Sequence, residues 1–142
     1  MLRSSRHAAG LLVKAEDTGR YLVGLRSSRV DQPNTWSLIA GECDAGEMPR
    51  QAAVRELMEE TGYRGPIELH RLHAEQLPGL SFTSFIGGVP AEFDPVLNSE
   101  TAAFRWCSDC DWPSPLHPGM AVIIELLVNS QPHASEEVFP WI

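Results

Sequence analysis

Long apolar runs are missing from this chain. The opening stretch MLRSSRHAAGLLVKAEDTG has two early arginines, but its apolar run ends at Lys14. That is too short for a signal-peptide core, and no later stretch is long enough to span a bilayer, so no membrane role is expected. Cysteine is scarce as well. Cys43, Cys107 and Cys110 make an odd set, which argues against a disulfide framework and for a reducing cytoplasm. Cations are outnumbered: eleven Lys and Arg stand against nineteen Asp and Glu, a formal net charge of −8. Such a surface repels polyanions, so no nucleic acid partner is expected. A small phosphorylated substrate stays compatible, because a bound cation inverts the local field. Internal repeats and low-complexity tracts are absent. What remains is 142 residues, 43% of them hydrophobic, which suits a single domain over residues 1–142 with a sizeable core.

Short apolar runs separated by turn signals make up the first half. HAAGLLVKA and RYLVGLRSS, parted by EDTG, read as two neighbouring strands. A polar loop, RVDQPNTW, leads to WSLIAGE, a further strand ending at Gly41. From Pro49 to Thr61 the spacing predicts a helix with Ala53, Val54, Leu57 and Met58 on its apolar face; Gly62 is a natural stop. IELHRLHAEQ and LSFTSFIGGV, separated by Pro78-Gly79, read as two strands, and AAFRWCS as another. PGMAVIIELLVNS is helical in pattern, and the tail QPHASEEVFPWI reads as loose or docked by its apolar end. Strands and helices mix without regular alternation, which points to a mixed sheet with helices on its faces.

The helix carries a costly arrangement. Glu56, Glu59 and Glu60 lie three and four residues apart, where like charges repel, and they sit near the end that the helix dipole disfavours for anions. A solvated acidic face is the plain explanation. Glu47 in the preceding loop and the strand end at WSLIAG crowd the same neighbourhood, and carboxylates gathered this way suit a hard divalent cation shared with substrate phosphates.

Residues 41–63, GECDAGEMPRQAAVRELMEETGY, resemble the Nudix box of the Nudix hydrolase family, G-x5-E-x7-R-E-U-x-E-E-x-G-U with U a bulky apolar residue. Gly41, Glu47, Arg55, Glu56, Leu57, Glu59, Glu60 and Gly62 all stand at its fixed positions. Two departures are visible: Tyr63 stands where an aliphatic residue is usual, and Ala40 replaces the first of two glycines that commonly precede the box. The resemblance implies an α/β/α sandwich, a mixed β-sheet between helices, with the box as loop-helix-loop. It implies Mg2+, or Mn2+ in its place, with Glu59 and Glu60 as direct ligands, Glu56 as a ligand or the holder of a metal-bound water, and the Ala40 carbonyl as a further ligand. Arg55 would orient the carboxylates through Glu47. The chemistry implied is pyrophosphohydrolysis of a nucleoside diphosphate linked to another moiety, by an enzyme that the family also allows to be a homodimer.

Outside the box the signals thin out. Glu100 precedes the AAFRW strand, where the resemblance implies a further metal ligand or the general base; an ordinary loop carboxylate is the alternative, and Glu92 is a lesser rival. Pro78, fifteen residues after Tyr63, matches a feature of ADP-ribose-cleaving relatives and favours that substrate, although Pro-Gly turns are common. Arg26 and Arg29 are candidates to grip phosphate. Trp36, Phe82 and Phe85 are candidates to stack on a base, with core packing the usual fate of such rings. CSDC has the spacing of half a zinc site but no second half, and His70 and His73 are expected to be strand surface residues. The rival substrates are nucleoside triphosphates, oxidised ones included. A nucleotide-sensing module that binds without cleaving is the rival class, and RNA decapping is disfavoured by the charge.

Overall fold

The run from Ala8 to Val13 is buried at every residue, so this stretch must be a strand covered on both faces. It is the centre of β1 (Arg6–Ala15), and the rest of the sheet is laid out from it. The computed structural model describes residues 6–129 and 139–140. Along one edge, β1 pairs in parallel with β6 (Leu80–Val89), from Arg6 opposite Leu80 to Ala15 opposite Val89. Its other edge is shared. β2 (Tyr21–Arg26) pairs with Val13 and Lys14 and then diverges. The gap is filled by β3 (Trp36–Ser37), which pairs with β2, and β4 (Ile39–Glu42), which pairs with Ala8 to Leu11. The expected single strand WSLIAGE is therefore two, because its bonding partner changes at Leu38.

β5 (Glu68–Leu77) forms an antiparallel hairpin with β6, β7 (Thr101–Cys107) pairs with β2, and β8 (Phe139–Pro140) adds to β5. The sheet of eight strands is mixed, as expected. Apart from Phe139 and Pro140, the C-terminal tail lies outside the described residues.

Among the described residues, each face carries one helix. α1 (Pro49–Thr61) buries Ala52, Ala53, Leu57 and Thr61 against the odd-numbered residues of β1, Leu22, Ile39, Leu69 and Phe85. Fully burying a side chain such as Leu57 contributes about 2 kcal/mol. α2 (Pro118–Asn129) buries Met120 and Ile123 against Leu12, Tyr21, Val23 and Cys107 on the opposite face.

The start of α1 has Pro49 in its first turn, and the Met48 N–H donates to Gln51 Oε1 at 2.9 Å, half of a capping box. Its end is the expected one. Gly62 takes φ 82°, where a side chain is disfavoured, and its N–H donates to the Met58 carbonyl. The apolar face is rotated from the expected one: Val54 is exposed and Ala52 is buried instead. At about 100° per residue, Glu56 and Glu60 fall between Ala52 and Ala53, on the inward side, while Glu59 falls outside it. Two alanines leave room there for carboxylates to reach the sheet.

Candidate active site

Arg55 organises the loop-helix unit. Its Nε donates to Glu47 Oε2 at 2.9 Å, its Nη1 to Glu56 Oε2 and Glu59 Oε1, both at 3.1 Å, and its Nη2 to Glu47 Oε1 at 3.0 Å and the Glu42 carbonyl at 2.9 Å. A guanidinium has five N–H donors, and all five are used. The contact with Glu47 raises the Arg55 pKa and holds the Glu47 carboxyl below the usual carboxylate range. Glu47 Oε1 also accepts the Asp44 N–H at 2.8 Å, which closes the loop before the helix.

Beside this network lies a cleft of about 480 Å³ at the sheet end. Arg26, Asp31, Ala40, Gly41, Glu60 and Glu100 are among the residues that line it. Glu56 reaches its edge because Gly41 has no side chain; a Cβ there would overlap the Glu56 carboxyl group. Burial, then the neighbouring Glu56 carboxyl and the charge of Glu100, pushes the Glu60 carboxyl well above the usual carboxylate range. Arg26 is the cation acting against that repulsion. It is itself latched to the following loop, with Nε on the Asp31 carbonyl at 2.8 Å and Nη2 on Asp31 Oδ1 at 2.6 Å.

Three carboxyl groups in mutual repulsion, supplied with oxygen donors only, match the donor chemistry of Mg2+ or Mn2+. Among the described residues no three His, Cys, Asp or Glu side chains converge as a ready-made metal cage, and the Glu59 carboxylate is paired with Arg55 Nη1 at 3.1 Å. A cation that keeps several waters needs no such cage.

The other expected residues divide clearly. Ala40 lies in β4 opposite Gly10, outside the left-handed backbone region, so its methyl group leaves the carbonyl in ordinary strand geometry. Tyr63 fits its place by packing its ring on Phe93 at 4.5 Å, which in turn meets Trp106 edge-on. Arg29 is exposed and does not line the cleft. Phe85 is a correction: it is buried in the α1-side core and is no stacking surface. Phe82 lies over Gly10 on the other face of β6, and Trp36 packs with the α2-side core. Pro78 occupies the tight turn between β5 and β6, with Leu77 paired to Leu80 across it, and does not line the cleft. Glu92 is held bidentately by Arg20 at 2.6 and 2.9 Å. Cys107 is buried with its Sγ donating to the Tyr21 carbonyl, whereas Cys110 is exposed. His70 has a buried Nδ1 without a partner and lines a separate cavity. Asp31 was not foreseen; an Asp in a polar loop carries no signal until the loop's path is known.

Known proteins resemble this chain in sequence and fold. The model of the NUDIX domain family matches residues 4–127. A Mycobacterium tuberculosis protein with the provisional name 8-oxo-dGTP diphosphatase 3 is 32% identical over 125 residues, which is 80% of this chain and 58% of that one. The CTP pyrophosphohydrolase of Escherichia coli is 31% identical over 94 residues, 66% of this chain and 70% of that one. The chain spans under two thirds of the mycobacterial protein and 24% of another relative. Among solved structures, a Nudix hydrolase from M. smegmatis, RenU, superposes with a TM-score of 0.77 at 28% identity, covering 90% of this chain and 86% of that one.

Proposed function

The chain belongs to the NUDIX domain family, and from that premise we propose that it is a divalent-metal-dependent pyrophosphohydrolase of nucleoside triphosphates. The observation that carries the reading is the meeting of Glu60 and Glu100, forty residues apart, in one cleft with Arg26 and the Ala40–Gly41 strand end. Glu56, Glu59, Glu60 and the Ala40 carbonyl would hold the cation. When bound, it neutralises charge on the polyphosphate and acidifies the attacking water.

The chain's own residues supply the rest. Arg26 exchanges the Asp31 carbonyl and carboxylate oxygens for two oxygens of a phosphate, a bidentate acceptor. Glu100 accepts a proton from the water as its oxygen attacks phosphorus and the P–O bond to the leaving group breaks. Arg55 touches no substrate; it keeps Glu47, Glu56 and Glu59 in register.

The relatives named above for 8-oxo-dGTP and CTP support triphosphates. ADP-ribose is the second reading. Its support in the sequence was Pro78, and the β5–β6 turn already accounts for a proline there. A panel of normal and oxidised triphosphates, ADP-ribose, NADH, diadenosine polyphosphates and sugar nucleotides, incubated with Mg2+, separates the readings by product. Nucleoside monophosphate with pyrophosphate is expected. AMP with ribose 5-phosphate would favour ADP-ribose, and binding without cleavage would favour a sensor.

A further inference from the structure

The segment between β6 and β7 carries Glu100, yet most of it has no regular structure to hold it. Its last part is held at the end of α1. The last carbonyls of a helix have no partner within the helix and must find donors elsewhere. The Thr61 carbonyl accepts the Val96 N–H at 2.9 Å, and Val96 packs over Gly62. The Glu60 carbonyl accepts Asn98 Nδ2 at 2.9 Å. The same side chain turns its Oδ1 to the N–H groups of Glu100 at 2.8 Å and Thr101 at 3.1 Å. Two N–H groups face the oxygen and a carbonyl faces the nitrogen, so only this amide orientation satisfies all three bonds. From the opposite side, the Ser27 N–H donates to the Glu100 carbonyl and Ser27 Oγ to the Ser99 carbonyl, both at 2.9 Å.

We propose that Asn98 is a positioning residue, whose one side chain bridges the Glu60 carbonyl and the Glu100 amide and so sets where the Glu100 carboxylate stands in the cleft. The inference rests on the hydrolase reading above. A backbone cap alone would satisfy the helix end and leave the Glu100 N–H without this acceptor, with Ser27 holding the carbonyl side only. Asn98 is exposed and contributes little to the core, so ordering its side chain has its effect on the Glu100 turn.

The test is Asn98→Ser, which keeps a short oxygen acceptor for the turn and loses the donor to Glu60. It is assayed with the nucleotide that the parent cleaves, alone and combined with Glu100→Gln. The expected result is a kcat about tenfold lower, the usual scale for a supporting residue, with KM, melting temperature and substrate-free Mn2+ affinity close to the parent's. In the Glu100→Gln background the substitution should add no further loss, since coupled residues are non-additive. Parental kcat, a loss that multiplies with that of Glu100→Gln, or an equal loss of Mn2+ affinity would each overturn the proposal. A parent that cleaves no nucleotide overturns the hydrolase reading and this one with it.

Discussion

Arg55 is the residue on which the acidic loop-helix depends, because it faces the carboxylates of Glu47, Glu56 and Glu59 and the Glu42 carbonyl together. Removing it leaves half-buried carboxylates unpaired. Arg55→Ala is expected to lower stability by about 2–3 kcal/mol and to lower turnover as well. Arg55→Lys should recover only part of either, since an ammonium has three donors where five are used. A native melting temperature and rate in Arg55→Ala would contradict this role. The cysteines differ as sharply. Burial pushes the Cys107 thiol up to about 11, while Cys110 is exposed. Iodoacetamide at pH about 8 should therefore label Cys110 in the native protein and Cys107 only after denaturation, because the thiolate is the nucleophile. Peptide mass mapping checks it; equal labelling of both would show that Cys107 is open to solvent.

Among the elements, α2 has the cap most sensitive to pH. His117 Nδ1 accepts the Gly119 N–H at 2.9 Å at the helix start, which requires an unprotonated nitrogen. Burial, then the charge of Arg26, lowers the His117 pKa. A histidine with a lowered folded pKa favours the fold while neutral. Its contribution is present above the unfolded value of about 6.5 and is lost as pH falls from there through the folded value. The urea midpoint of the parent should drop relative to His117→Asn, which keeps an acceptor at the cap but does not titrate. Parallel pH curves would show that the cap is indifferent to protonation. Element by element, the box was legible because its residues recur at helical spacing on one element, where geometry is local. The roll of α1 that buries Ala52 was not, since it depends on which strands lie beneath. Phe82 and Phe85 could have been separated in advance: three residues apart on a strand, they face opposite sides. The break of WSLIAGE at Leu38, the Asp31 latch and the Asn98 bridge all depend on partners distant in sequence, which no local pattern encodes.

At the scale of the whole molecule, a chain of formal net charge −8 brings Glu56 and Glu100 to bear on Glu60 at one cleft. A ligand bound only by the folded state stabilises it, by about 2.7 kcal/mol at a hundredfold excess over its Kd. Mn2+ or Mg2+ should accordingly raise the melting temperature, excess chelator should reverse the rise and abolish turnover, and Glu60→Gln should remove most of the increment. Equal melting temperatures in Mn2+ and in chelator would count against a cation site. The parallel partnership of β1 and β6, from Arg6 opposite Leu80 to Ala15 opposite Val89, has a consequence of another kind. Residues 16–79, with β2 to β5 and α1 among them, lie between the central strand and its full-length neighbour. Non-local pairings of this sort slow folding, because loop-closure entropy is lost before contacts compensate it. On the ribosome, the edge of β1 that β6 will occupy stays unpaired until β6 has emerged, although β2, β4 and α1 precede it.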